Sequence, residues 1–113
     1  MVEKRRKPRK RERMRVSFGP QMPSKVGFTS DISESGLCVK TFVVYNPGSQ
    51  LLLEVQLPCG FVVKIEGRVH WARKVPPNLL YKVRYAGMGI KIINFIGDAE
   101  PYLQLCKLYE HVR

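Results

Sequence analysis

The stretch FVVKIEGRVHWARKV, residues 61 to 75, carries the clearest pattern in the chain. Phe61, Val63, Ile65, Gly67, Val69, Trp71 and Val75 fall on odd positions, while Lys64, Glu66, Arg68, His70 and Lys74 fall on even ones. Successive strand side chains point to opposite faces, so this segment predicts a long antiparallel strand with one dry and one wet face. Such a strand needs partners, and the rest of the chain supplies them. Met14, Val16 and Phe18 alternate with Arg15 and Ser17. Leu51, Leu53, Val55 and Leu57 oppose Gln50, Glu54 and Gln56, between the turn signals Asn46-Pro47-Gly48 and Pro58-Cys59-Gly60.

In the segment before Ser33, Val26, Phe28 and Ile32 take one phase; Gly27, Thr29, Asp31 and Ser33 take the other. The apolar phase predicts the core face. Leu37 and Val39 open the next strand. Tyr81, Val83 and Tyr85 alternate with Lys82 and Arg84, and then the phase slips by one to Met88, Ile90 and Ile92 across Gly87 and Gly89, which predicts a β-bulge at glycine. Trp71, Tyr81 and Tyr85 all follow the core phase. Near Asp98 the period becomes helical. Ala99, Tyr102, Cys106, Tyr109 and Val112 form one stripe, with Asp98 as the cap and Pro101 in the first turn. These patterns predict a mainly β fold: a six-stranded antiparallel barrel covered in part by one C-terminal helix.

Length and charge limit what the barrel can do. The chain has 113 residues, enough for one core, and 44% of them are hydrophobic. The net charge of +11 is concentrated at the start: residues 1 to 15 hold nine Lys or Arg against Glu3 and Glu12. We therefore expect a flexible basic arm over residues 1 to 13 and the barrel with its helix over 14 to 113. An anionic partner is implied. No apolar run follows the charges, so no signal peptide is read, and no stretch is long and apolar enough for a membrane span. Cys38, Cys59 and Cys106 have no metal or disulfide spacing and read as buried or half-buried thiols in a reducing cytoplasm. No nucleophile–base set, metal-ligand spacing or phosphate-binding glycine loop appears. His70 and His111 read as solvated. The chain is not expected to be an enzyme or to need a cofactor or metal.

Two segments carry the chemistry. RKRERMRV, residues 9 to 16, ends the arm, and Arg11 and Arg15 are four apart at its junction with the first strand. Guanidinium forks bind phosphate and stack on bases. In DISESG, residues 31 to 36, Asp31 and Ser33 share a face beside Gly36. A carboxylate accepts two N–H bonds from a guanine edge, the hydroxyl adds a bond, and glycine permits close approach. Together they suit a ligand with both phosphates and guanines, since a plain polyanion would leave Asp31 without a role.

The pair RxxxR (Arg11 to Arg15) and DxSxxG (Asp31 to Gly36) resembles the signature of the PilZ domain, a family of small six-stranded barrels that bind the bacterial messenger cyclic di-GMP. GRVHWARK, from Gly67, and AGMGIKIINF, from Ala86, resemble the family's later strands, so the likeness covers nearly the whole chain. Arg5–Arg9 and Arg9–Arg13 have the same spacing. Arg11–Arg15 is chosen because Val16 supplies the hydrophobic strand start that follows the family's second arginine. The resemblance implies that Arg11 and Arg15 contact phosphate and guanine, that Asp31 and Ser33 hold a guanine edge, and that Gly36 shapes the turn. Lys10, before the first arginine, leans toward a stacked ligand pair. The 15 residues between Arg15 and Asp31 are few for the family and suggest a reduced first hairpin.

Three functions are consistent with these residues. The first is a cytoplasmic cyclic di-GMP receptor or adaptor, monomeric or homodimeric, acting on a protein partner. The second is a basic barrel for single-stranded nucleic acid, which exposed aromatics between cations would favour. The third is a PilZ-like domain that has lost its ligand and binds only proteins.

Overall fold

The structure is a computed structural model that describes residues 13–74 and 86–111, with side chains to Leu108. The arm with Lys10 and Arg11, the segment holding Tyr81 and Tyr85, and Val112 lie outside the described residues. Six strands form a closed barrel: β1 (Arg15–Gly19), β2 (Lys25–Ile32), β3 (Gly36–Lys40), β4 (Gln50–Gln56), β5 (Val62–Arg73) and β6 (Gly87–Ile96), in the order β1-β2-β3-β6-β5-β4. Every pairing is antiparallel, and β1 against β4 closes the circle. Closure leaves no open sheet edge among the described strands. The helix α1 (Glu100–His111) follows β6.

The alternations read from the sequence supply most of the core. Val16, Phe18, Leu51, Leu53, Val55, Val63, Ile65, Val69, Met88 and Ile90 are all buried. Gly48 and Gly60 turn the chain with φ of +94° and +98°, a region glycine enters without steric cost. The first hairpin is intact: β1 and β2 pair from Arg15 opposite Phe28 to Phe18 opposite Lys25.

Two strands depart from the predicted phase. On β2 the dry face holds Gly27 and Thr29, while Val26 is 43% exposed. The inversion has local causes. The Thr29 hydroxyl accepts the Met14 N–H at 3.0 Å, so this polar side chain is satisfied inside. A β-carbon at Gly27 would come within 2.7 Å of the Lys40 carbonyl oxygen, so only glycine fits. The β2–β3 register then shifts between Thr29 and Asp31. This bulge at Ser30 returns Ile32 to the core side and turns Asp31 outward.

On β5 the register against β6 jumps from Val69 to Trp71, leaving His70 unpaired. The slip expected across Gly87 and Gly89 starts from Tyr81 to Tyr85, outside the described residues; β6 pairs with β3 without a shift from Gly87 to Lys91, and the extra residue here is His70 of β5. It sends Ala72 inward and leaves Trp71 44% exposed, so Trp71 is not a core residue.

The helix begins where the sequence indicates. Asp98 Oδ1 accepts the Glu100 N–H at 3.0 Å, and Pro101 occupies the first turn, where its missing N–H costs no bond. Tyr102 and Cys106, one turn apart, are buried against the barrel. The Tyr102 ring packs on Phe95 with centroids 5.6 Å apart. Cys38 is half-buried, Cys106 buried and Cys59 exposed, the last against expectation because it sits in the β4–β5 turn.

Candidate ligand-binding face

Strand register places the candidate residues in three rows on the outer face. The middle row runs Asp31, Cys38, Gly89, Trp71 across β2, β3, β6 and β5. Neighbouring strands lie about 4.8 Å apart, so the row spans roughly 14 Å. Its two middle members are small, so Asp31 and Trp71 flank a low floor. The Trp71 indole lies back over this floor, and a β-carbon at Gly89 would fall on the ring.

The row on one side runs Arg15, Phe28, Lys40, Gly87, Arg73. The row on the other runs Gly36, Lys91, Arg68, Gln50. Arg15, Lys40, Arg68, Arg73 and Lys91 are exposed. Arg68 and Lys91 stand directly opposite one another, a like-charge pair that gains nothing from its own neighbour. Within these three rows Asp31 is the one acidic residue. The face is strongly cationic and carries one carboxylate.

The start of β1 is tied to this face. Met14 donates its N–H to the Thr29 hydroxyl and accepts the Thr29 N–H at 2.8 Å, two residues from Asp31. The Arg13 guanidinium sits 4.1 Å from the centroid of the Phe28 ring, a cation–π contact that holds a second arginine beside Arg15.

The turn after Asp31 is built by Ser33. Its N–H donates to the Gly36 carbonyl at 2.8 Å. Its hydroxyl accepts the N–H groups of Ser35 at 3.3 Å and Gly36 at 3.2 Å, and lies 3.2 Å from the Gly36 carbonyl as donor. Ser33 therefore shapes the turn, and its hydroxyl is already engaged there. Gly36 opens β3, and its missing side chain serves β6: a β-carbon there would lie 2.6 Å from the Ile90 carbonyl oxygen.

Of the expected set, then, Arg15, Asp31, Ser33 and Gly36 come together on one face. Lys10 and Arg11 lie outside the described residues. The sequence reading missed Trp71, Arg68, Lys91, Lys40, Arg73 and the Arg13–Phe28 pair. Arg68, Lys91 and Lys40 fall on the wet phase of their strands, Arg73 falls on the dry phase of β5, and only register sets them beside Asp31. Trp71 continues the odd-position apolar phase and so reads as inward; the bulge at His70 shows in the sequence just after it, where apolar Ala72 falls on an even position and Arg73 on an odd one. Among the described residues no group of His, Cys, Asp and Glu could hold a metal ion, and no helix is long and apolar enough to cross a membrane.

A closed six-stranded barrel with one terminal helix and a cationic outer face defines a small β-barrel binding module. Residues 3–99 match the PilZ domain family, and the chain belongs to that family. Domains of this family are ligand-binding or adaptor modules. Among solved structures, the chain is similar to the Bacillus subtilis inhibitor of motility (MotI/DgrA), with a TM-score of 0.70 at 20% identity. That alignment covers 95% of this chain and 51% of the other, so this chain spans about half of that protein's length. At such identity the likeness concerns the fold alone. No curated protein matches the chain.

Proposed function

We propose that this chain is a receptor or adaptor module for cyclic di-GMP. The observation that carries the reading is the middle row: an outward carboxylate on β2 and an exposed indole on β5, their backbones roughly 14 Å apart, with the indole lying back over Gly89 on a cationic face. Asp31 accepts a guanine edge, Trp71 offers a stacking surface, and the surrounding guanidinium and ammonium groups neutralise phosphate. Ser33 adds a hydroxyl, and Gly36 lets β3 approach β6 so that the turn sits at the rim. Lys10, Arg11 and Arg15 close over the ligand from the arm side.

Ordering of the arm is the proposed switch, with a downstream protein as the reader. The cations from Lys4 to Arg15 repel one another, and ligand phosphates relieve that repulsion. Amide exchange over residues 4 to 15 tests the switch: protection rises with saturating cyclic di-GMP, and unchanged protection removes the arm from the mechanism.

Calorimetry with cyclic di-GMP, GTP and single-stranded RNA tests the ligand. The expected result is low-micromolar or tighter binding of cyclic di-GMP, about −8 kcal/mol. No heat up to millimolar ligand with folded protein overturns the reading. Two observations support further alternatives. Trp71 among cations is the feature expected of a single-strand binder, and tighter RNA than cyclic di-GMP binding would favour that function. The family match begins at residue 3, so it also takes in Arg5–Arg9, an RxxxR pair wholly within the arm.

A further inference from the structure

We propose that Tyr102 is a positioning residue that couples α1 to the Ser33–Gly36 turn, so that a ligand engaging the Ser33 hydroxyl is sensed by the helix. The inference rests on the turn being part of the ligand site.

The turn has an unusual division of hydrogen bonds. The Ser33 N–H closes the hairpin onto the Gly36 carbonyl. The Gly36 N–H, which would ordinarily return to the Ser33 carbonyl, is 3.2 Å from the Ser33 hydroxyl instead. The Ser33 carbonyl is taken by the Tyr102 hydroxyl at 2.8 Å, across 69 residues of chain. The same phenolic oxygen lies 3.5 Å from the Gly36 carbonyl. Tyr102 thus stands between the two carbonyls that bracket the turn.

The Ser33 hydroxyl has one proton to give and two lone pairs to share: the Ser35 and Gly36 N–H groups take the lone pairs, and the Gly36 carbonyl at 3.2 Å, with the Ser35 hydroxyl at 3.4 Å, is within reach of the proton. A ligand acceptor that takes this proton withdraws a donor from the Gly36 carbonyl. The Tyr102 hydroxyl is the adjacent donor that can shift toward it. The ring is fully buried and packed on Phe95, so the shift is transmitted to the helix rather than absorbed by a free side chain. Cys106, one turn further on, is buried on the same face of α1. The family match ends at residue 99 and α1 starts at Glu100, so the contact joins the matched barrel to a segment beyond it.

A buried tyrosine needs a hydrogen-bond partner in any fold, so the test must separate coupling from simple satisfaction. Amide NMR spectra of the full chain are recorded during titration with cyclic di-GMP, for the wild type and Tyr102→Phe. The phenylalanine keeps the ring and its packing. Shifts at Leu103 to Lys107 are expected in the wild type and should fall roughly threefold or more in Tyr102→Phe, while Asp31 and Ser35 still respond. Equal α1 shifts in both proteins overturn the proposal. A ligand-free arm introduces Ser33→Ala in each background. Exchange of the α1 amides should accelerate in the wild-type background and stay unchanged with Tyr102→Phe; equal acceleration overturns the coupling. If cyclic di-GMP moves no amide of the wild type, the ligand reading fails, and the Ser33→Ala comparison still decides the role of Tyr102.

Discussion

Asp31 and Trp71 occupy the two ends of one strand-to-strand row, with only Cys38 and Gly89 between them. Each reaches the outer face through a bulge, at Ser30 on β2 and at His70 on β5. Without the first, Asp31 would follow Thr29 into the core. Without the second, Trp71 would follow Val69 there. The face is thus a product of two register slips, and bulges re-aim side chains in this way.

Trp71 is the single tryptophan of the chain, so intrinsic fluorescence reports on the face directly. Cyclic di-GMP is expected to change that fluorescence saturably. Trp71→Ala should weaken binding by about 1–3 kcal/mol, the worth of a base stacked on an aromatic ring. Trp71→Phe should recover part of the loss. Unaltered affinity in Trp71→Ala would show that the indole only shields Gly89.

The arginines separate by where they are held. Arg15 lies within β1, next to the Met14–Thr29 anchor. Arg15→Ala and Arg11→Ala are each expected to cost on the order of 1.5–3 kcal/mol of binding, the range for a bond to a charged group. Arg5→Ala should cost less, because a residue further from the anchor loses more freedom on binding. Calorimetry on Arg5→Ala, Arg9→Ala, Arg11→Ala and Arg15→Ala reads this out. A loss concentrated at Arg5 and Arg9 would move the phosphate clamp wholly into the arm.

Gly36→Ala is expected to destabilise the barrel rather than reshape the turn. Its β-carbon would meet the Ile90 carbonyl, a backbone atom held in the β3–β6 ladder, so β3 must shift away from β6. The cost should be about 1–3 kcal/mol, measured by urea unfolding. Wild-type stability with selective loss of ligand binding would place the role of Gly36 at the ligand instead.

Much of the fold was legible because each barrel strand alternates strongly where it is regular. Leu51 to Leu57 and Val63 to Val69 predicted their own burial. What was illegible has a common cause. Gly27 and Thr29 are inside for reasons set by other strands, namely the Lys40 carbonyl and the Met14 N–H. Trp71 is outside because β5 carries one residue more than β6 at that point. The site divides likewise. Asp31 and Ser33 are neighbours in sequence and were found as a motif. Arg68, Lys91 and Trp71 join them only through cross-strand register, which no local pattern encodes.

Tyr102 gives the fold a pH limit on the alkaline side. Burial, and secondarily the neighbouring Cys106, raise its ionisation well above the ordinary value of 10.0. Below pH 10 the phenol is protonated in both folded and unfolded chains, and its contribution to stability is complete. As pH rises above 10 the unfolded chain releases this proton while the folded chain keeps it, so unfolding becomes progressively easier. The loss from this one residue approaches about 1.4 kcal/mol per pH unit. Tyr102→Phe removes it and leaves Tyr45, Tyr81, Tyr85 and Tyr109 common to both proteins. Urea unfolding of the pair between pH 9 and about 11.5 is the measurement. The wild type should lose stability faster than Tyr102→Phe above pH 10, and parallel curves would mean that water reaches the phenol and that its bond to Ser33 does not hold the helix to the turn.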